Sequence, residues 1–238
     1  MVNSKDLAYH KNQFNTIYRS TKVFDMWLMQ MGVLNDTRNV VDIACGAGSN
    51  TIFFAKKYPQ INFLGIDYDA QIINLGNKKI DEDNIYNATL ELKDIYNIKA
   101  GDYSNIDGVV MLQTLSWLKN YQEPLKHILT IKPKWIAISS LFYEGEIDAF
   151  ITLHNYYRPS NKCDYSMSYY NIYSLPRIKD FLKSHGYNKF KYKKFEIDIN
   201  IKQTTKDIGT YTKMTIDKKN LQFSGPLFLP WYFIYAEK

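Results

Sequence analysis

The chain has 238 residues, which is enough for one large α/β domain or two small ones. Its apolar content of 45% and aromatic content of 16% support a full hydrophobic core. The formal net charge of +6 comes from scattered lysines, and because no dense Lys/Arg run occurs, the composition argues against nucleic-acid binding.

Two cysteines, Cys45 and Cys163, are too few for a disulfide framework, and we expect reduced thiols in a cytoplasmic protein. The first residues lack the apolar core of a signal peptide, and no apolar stretch is long enough to span a bilayer. No spacing of His, Cys, Asp and Glu forms a convincing ligand set for a metal ion. The sequence therefore predicts a protein with neither a membrane partner nor a metal site.

Residues 1–35 are predicted to form an N-terminal helical cap. Apolar side chains between Val23 and Met31 recur at helical spacing, and Ser20 or Thr21 is placed to cap that helix. Polar and aromatic side chains precede it, among them His10, Tyr18 and Arg19.

Residues 40–51 run from an apolar, strand-like stretch into a turn of small residues and then into a helix start. Ala44, Gly46 and Gly48 have little or no side chain, so a ligand can lie against the backbone there. The helix that follows offers unpaired N–H groups and a positive dipole end.

The predicted second strand covers 61–66, and Asp67 follows it. A carboxylate about 20 residues beyond such a turn is placed to accept both hydroxyls of a ribose. Apolar spacing predicts a helix over 70–80 and a short strand over 88–92, after which comes Asp94.

The fourth strand, 106–112, is a nearly continuous apolar run, which suits a strand buried on both faces. A short polar turn with Gln113 and Thr114 follows, and then an apolar helix that contains Trp117. Another helix over 124–131 and a fifth strand over 136–141 complete this part of the chain. The alternation of strands and helices indicates an α/β fold.

The spacing of Asp42, Ala44, Gly46 and Gly48 resembles the acidic-x-small-x-Gly-x-Gly turn of class I S-adenosylmethionine-dependent methyltransferases. Ala44 stands where that family more often has glycine. A dinucleotide fingerprint, G-x-G-x-x-G/A, is a poorer match because its third position falls on a serine or threonine. The resemblance implies a Rossmann-like fold, with a seven-stranded, mostly parallel sheet and helices on both faces.

By this resemblance the cofactor is S-adenosyl-L-methionine, which leaves as S-adenosyl-L-homocysteine. Asp67 is expected to bind the ribose, Tyr68 to pack on the nucleoside, and Asp94 to accept a hydrogen bond from the adenine amino group. The full set of expected cofactor contacts comprises Asp42, Ala44, Cys45, Gly46, Gly48, Asn50, Asp67, Tyr68, Asp94, Ile95, Gln113, Thr114 and Arg19.

Residues 142–173 are predicted to be an insertion after strand five, and the resemblance makes it a substrate lid beside the reactive methyl group. A helix-like stretch, 146–153, ends next to His154, the predicted general base. Tyr143 is the second predicted catalytic residue; Glu144 and Asp148 are further alternatives for the base. Expected substrate contacts are Tyr18, His10, Trp117, Glu144, Arg158 and Tyr169.

The remaining chain is predicted to hold a helix over 174–185, a strand over 189–201, an excursion over 204–222 and a last, antiparallel strand over 231–236. We expect one methyltransferase domain over 1–238, as a monomer or homodimer. Its polar lid suits a hydroxylated or anionic small-molecule acceptor. The chain also resembles small-molecule methyltransferases of surface-polysaccharide (capsule) biosynthesis, which implies a sugar, a nucleotide sugar or a phosphorylated or phosphoramidate intermediate. The alternatives are N-methylation of a small amine and a non-catalytic protein that binds the cofactor or serves in assembly.

Overall fold

The computed structural model describes residues 4–156, 165–202, 210–224 and 227–238. Its helices are α1 (Ser4–Asn15), α2 (Arg19–Gln30), α3 (Ser49–Lys57), α4 (Ala70–Glu82), α5 (Gln122–Leu129) and α6 (Leu175–Ser184). Its strands are β1 (Asn39–Ile43), β2 (Asn62–Asp67), β3 (Ala88–Leu92), β4 (Gly108–Leu112), β5 (Trp135–Tyr143), β6 (Thr152–Tyr156), β7 (Tyr165–Tyr169), β8 (Tyr173–Ser174), β9 (Lys189–Lys194), β10 (Thr210–Met214), β11 (Asn220–Ser224) and β12 (Leu227–Glu237).

Five parallel strands form the centre of the main sheet, in the order β3-β2-β1-β4-β5. β12 pairs antiparallel with β5, and β9 pairs with the second half of β12. These seven strands have the mostly parallel arrangement that the resemblance implied. Among the described residues, β8, β10 and β11 enlarge this sheet to ten strands.

The strand order creates a crevice at one edge of the sheet. The chain leaves β1 toward β2 and β3, and then returns to β4 on the other side of β1. The loops after β1 and β4 therefore diverge at the carboxyl ends of these two strands. Ligands of open α/β sheets bind at such a point.

Helices cover both faces of the sheet and divide the core into two layers. On one face α2, α3 and α4 contribute Phe24, Ile52 and Ile73. On the other face α5 and α6 contribute Leu125 and Ile178. Both faces of the sheet are covered, and the central strand β4 is accordingly apolar throughout, as its sequence predicted.

Two predicted helices are wrong. The stretch 146–153 contains no helix, because the backbone of Ala149 pairs with Ile172 on the returning chain and β6 begins at Thr152. The expected apolar helix with Trp117 is a single 3-10 turn before α5. The predicted excursion over 204–222 contains the β10–β11 hairpin, whose β11 pairs with the first half of β12.

No helix among the described residues is long and apolar enough to cross a membrane.

Candidate functional site

The turn after β1 has an unusual backbone. Ala44, Gly46 and Gly48 have φ angles of 54°, 57° and 75°, all in the left-handed region. Glycine adopts this conformation freely, whereas an alanine there costs about 1–2 kcal/mol. Because α3 begins at Ser49, directly after the turn, its first N–H groups and positive dipole end are available to an anion.

Helix α4 supports this turn from behind. A Cβ atom built on Gly76 would overlap both the Leu90 side chain and the carbonyl oxygen of Ala47. Only glycine therefore lets α4 approach so closely. The contact fixes the turn against β3.

Asp67, at the end of β2, is 8% exposed and holds the turn in place. Its Oδ2 accepts a hydrogen bond of 2.9 Å from the backbone N–H of Gly46, and its Oδ1 accepts one of 3.1 Å from Asp69. The turn and Asp67, which the sequence predicted to belong to the same site, are thus in direct contact.

Asp42 of β1 is buried beneath the turn, and its Oδ2 accepts a hydrogen bond of 2.7 Å from Thr51 Oγ1. Burial raises the pKa of Asp42 to about 7. The hydrogen bond from Thr51 opposes this increase, and the charge of Asp67 adds to it. Burial, with the nearby charges of Asp42 and Asp67, also raises the pKa of the Cys45 thiol. Cys45 is therefore a neutral thiol at physiological pH, while Cys163 lies outside the described residues.

A cavity of about 760 Å³ opens in the crevice between β1 and β4. Small-molecule sites usually have volumes of about 300–1,000 Å³. Three parts of the chain line it: the strand ends and the turn, the N-terminal segment, and the C-terminal strands. Its lining comprises Ala44, Cys45, Gly46, Ser49, Asn50, Leu112, Gln113 and Trp117; Tyr9, His10, Gln13, Thr16, Ile17, Tyr18, Arg19, Ser20 and Lys22; and Ile197, Ile199, Ile201, Thr210, Gln222 and Trp231.

The start of α2 is bonded to two of the predicted cofactor residues. Gln113 Nε2 donates a hydrogen bond of 2.9 Å to Ser20 Oγ, and Thr21 Oγ1 donates one of 2.9 Å to Asn50 Oδ1. The prediction that Ser20 or Thr21 caps α2 is wrong, because Tyr18 occupies the cap position and both hydroxyls bond across the cavity edge instead. The N-terminal segment is thereby attached to both α3 and the end of β4.

His10 and Arg19 also lie at the cavity. The His10 ring packs on Gly46 so closely that a Cβ there would be 2.8 Å from its Cε1. His10 Nδ1 lies 3.1 Å from Gln13 Oε1. The Arg19 guanidinium bonds to both carboxylate oxygens of Asp198, at 2.7 and 2.9 Å. Arg19 thus ties α2 to the chain after β9.

The residues predicted to hold the nucleoside lie outside the lining of this cavity. Tyr68 is 75% exposed beside Asp67. Asp94 accepts a hydrogen bond of 2.9 Å from the backbone N–H of Tyr96 and so caps the 3-10 turn that starts at Ile95. Thr114 Oγ1 donates to the carbonyl oxygen of Leu112, at 3.2 Å.

The described residues of the insertion after β5, 142–156 and 165–173, do not contribute to the cavity lining. Within it, His154 lies exposed on the β6–β7 hairpin, opposite Met167, and Tyr169 lies at the hairpin end. Tyr143 is 42% exposed at the end of β5, and Glu144 pairs with Lys194 at 3.0 Å. Arg158 lies outside the described residues.

Hydrogen bonds and a ring contact attach the insertion to the segment after β4. The amide of Asn171 donates hydrogen bonds to the carbonyl oxygens of Leu118 and Lys119, at 2.8 and 3.2 Å. The ring of Tyr170 packs against Trp117, with 4.9 Å between ring centroids. Asp148, an alternative base in the sequence prediction, accepts a hydrogen bond of 2.7 Å from the backbone of Ser174.

The sequence prediction missed most of the cavity wall that the C-terminal strands provide. Ile197, Ile199 and Ile201 alternate with polar residues, which is the pattern of an extended segment with one apolar face. That alternation was the available signal. Thr210 and Gln222 carried none, because their place in the cavity depends on how β10 and β11 join the sheet.

No group of three or more His, Cys, Asp or Glu side chains within the described ranges could hold a metal ion. The metal independence of the protein remains a prediction.

Residues 40–131 match the family model described as a methyltransferase domain. This part of the chain is therefore similar to a methyltransferase domain. The match agrees with the family predicted from the sequence, and it contains the turn, Asp67 and the strand ends of the site.

The chain is 32% identical over 108 residues to an uncharacterised protein, RP028, of Rickettsia prowazekii, which covers 44% of this chain and 43% of that one. It is 24% identical over 162 residues to (S)-coclaurine N-methyltransferase of Papaver somniferum, which covers 68% of this chain and 44% of that enzyme. The chain therefore spans less than half the length of these relatives.

A solved structure with the same fold is the N-terminal domain of EvdMO1 with SAH bound. Its TM-score is 0.60 at 8% identity, over 92% of this chain and 81% of that one. At this identity the similarity is one of fold.

Proposed function

We propose that the chain is an S-adenosylmethionine-dependent methyltransferase that acts on a small polar molecule. The observation that carries this proposal is the composition of the cavity. One end consists of the turn after β1, within the matched residues. The other consists of Ile197, Ile199, Ile201, Thr210, Gln222 and Trp231, which lie outside them. The first end suits the cofactor, and the second leaves room for an acceptor.

The residues at the first end fit the amino-acid part of the cofactor. Ser49 is 6% exposed, lines the cavity, and makes no side-chain hydrogen bond within the described part of the chain. The first turn of α3 adds N–H donors, and Lys22 adds a positive charge at the cavity. These donors suit a carboxylate. When bound there, S-adenosylmethionine supplies an electrophilic methyl group.

The acceptor that we propose is a hydroxyl group of a sugar, of a nucleotide sugar, or of a phosphorylated or phosphoramidate intermediate of surface-polysaccharide biosynthesis. Amide, hydroxyl and aromatic groups meet at the second end of the cavity, and a hydroxylated ring has complementary groups. N-methylation of a small amine is the second candidate, because the poppy relative is named as an N-methyltransferase.

Transfer to a hydroxyl group requires a base, and we propose His10. Gln13 Oε1 accepts only, so its bond to His10 Nδ1 leaves Nε2 as the basic nitrogen. His10 lines the cavity, whereas His154, the base proposed from the sequence, lies on the β6–β7 hairpin away from the lining. The rest of the catalysis comes from holding the two reactants in line within the cavity.

The test is methyl transfer from S-adenosylmethionine to a panel of glycosides, nucleotide sugars, sugar phosphates and small amines, detected by mass. We expect a methyl gain on a hydroxylated acceptor. A gain on amines alone would favour the second candidate. Tight cofactor binding with no transfer to any class would favour a non-catalytic protein.

A further inference from the structure

The second end of the cavity is a wall held together by backbone hydrogen bonds. It comprises Ile197, Ile199, Ile201, Thr210, Gln222 and Trp231. The backbone N–H of Thr212 in β10 donates to the carbonyl oxygen of Ile201 at 2.9 Å, and that of Ile197 donates to Asn220 at 3.0 Å. These bonds hold 197–201 alongside the β10–β11 hairpin. The three alternating isoleucines of this segment all line the cavity.

Side chains of the hairpin divide between two faces. Tyr211 and Phe223 pair across the hairpin and stack, with 5.8 Å between ring centroids. Thr210 and Gln222, which alternate with them along the strands, line the cavity instead. The hairpin therefore presents one aromatic face to its own packing and one polar face to the cavity.

Gln222 and Trp231 are wall side chains whose polar groups have no hydrogen-bond partner among the described residues, and the indole Nε1 of Trp231 is buried. Gln222 is 8% exposed, and its amide makes no hydrogen bond to any residue of the described ranges. A buried amide without partners costs about 1–3 kcal/mol, so such groups in native proteins usually serve a ligand or an ordered water. Because Gln222 lines the cavity, a molecule there is positioned to complete its hydrogen bonds.

We propose that this wall is the acceptor subsite of the methyltransferase, and that it binds a neutral hydroxylated ring, such as a glycoside, through the amide of Gln222. The proposal rests on the function proposed above. Trp117 and Trp231 add indole rings to the cavity, and an apolar ring face can pack on such a surface. The Gln222 amide, with one acceptor and two donors, suits hydroxyl groups at the ring edge.

The distribution of charged side chains around the cavity favours a neutral acceptor over an anionic one. The described wall residues between 197 and 231 that line the cavity are all uncharged. Lys22 and His10 lie on the N-terminal segment, and His10 packs on Gly46 at the end proposed for the cofactor. Arg19 reaches the wall, but its charge is paired with the carboxylate of Asp198. A phosphorylated sugar in the subsite would have no charged partner among the described wall residues, so the neutral ring is favoured.

The experiment is saturation-transfer-difference NMR with phenyl β-D-glucopyranoside as the probe, on protein saturated with S-adenosylhomocysteine. We expect saturation transfer to sugar-ring protons in the wild type and at least a fivefold loss in Gln222→Leu, which removes the amide at similar size. Gln71→Leu, an exposed glutamine of α4 outside the cavity, is the matched control. Circular dichroism and S-adenosylhomocysteine affinity should be unchanged in both variants.

If wild-type protein binds S-adenosylhomocysteine but shows no saturation transfer to the glycoside, the proposed subsite is wrong and the proposed function is unaffected. If saturation transfer is equal in wild type and Gln222→Leu, Gln222 does not bind the ring. Stronger transfer to glucose 6-phosphate than to the neutral glycoside would also contradict the proposal. Failure of the protein to bind S-adenosylhomocysteine at all would instead refute the proposed function.

Discussion

Replacing Asp42 by asparagine is predicted to stabilise the unliganded protein at pH 8. Burial raises the pKa of Asp42 from 3.8 to about 7 in the folded state. The native protein therefore binds this proton more tightly than the unfolded chain does, and the stabilisation is complete below pH 4 and lost as the pH rises through 7. Each pKa unit corresponds to about 1.4 kcal/mol, so charging Asp42 costs up to about 4 kcal/mol.

Asparagine has the same shape and still accepts the hydrogen bond from Thr51, but it carries no charge to bury. The assay is urea unfolding followed by circular dichroism between pH 4 and pH 8. The difference in unfolding free energy between Asp42→Asn and wild type should increase with pH by about 1.4 kcal/mol per unit and level off above pH 7. A difference that does not change with pH would refute the reasoning.

Asp107 provides a control with the opposite sign. Burial raises its pKa, but hydrogen bonds from Lys134 and from the backbone of Arg38 and Asn39 outweigh burial, so the pKa is lowered overall. Its stabilisation is present above the unfolded pKa and is lost as the pH falls. Asp107→Asn should therefore destabilise the protein at neutral pH, and less so in acid.

Three further predictions concern the turn, the base and metal ions. Ala44→Gly should raise the unfolding free energy by up to about 1 kcal/mol, because relief of the left-handed strain exceeds the entropy cost of glycine; a loss of stability in urea titration would contradict the strain. His10→Ala should lower steady-state turnover about 10²–10⁴-fold, while His154→Ala leaves it near wild type; the reverse result would support the base predicted from the sequence. Turnover should survive EDTA, and restoration by magnesium after its loss would show that a metal ion is needed.

The sequence predicted the fold where the relevant signals are local. The turn, Asp67 and the strand ends around them follow one another within about one hundred residues, and each strand shows its own apolar pattern. The family match over 40–131 agrees with the methyltransferase fold that these elements predicted. Ala44 departs from the sequence pattern of the family, which more often has glycine there. Its backbone nevertheless has the left-handed conformation that favours glycine.

The rest of the site depends on pairings between distant parts of the chain. Ser20 looks like a helix cap in sequence, but its hydroxyl accepts a bond from Gln113, 93 residues away. Gln222 reaches the cavity only because β11 joins the edge of β12. The insertion after β5 was expected to form the lid, yet the described cavity is bounded by the N-terminal segment and the C-terminal strands.

The central claim is that the turn after β1 and Asp67 form a site for S-adenosylmethionine. Isothermal titration calorimetry of the wild type and of Asp67→Asn tests it most directly, with thermal unfolding as a check that the variant folds. We expect one-to-one binding of S-adenosylmethionine and S-adenosylhomocysteine, no binding of NAD, and a loss of about 1–3 kcal/mol in Asp67→Asn, because a charged acceptor for the ribose hydroxyls is removed. Binding of NAD instead, or equal S-adenosylmethionine affinity in the variant, would contradict the claim.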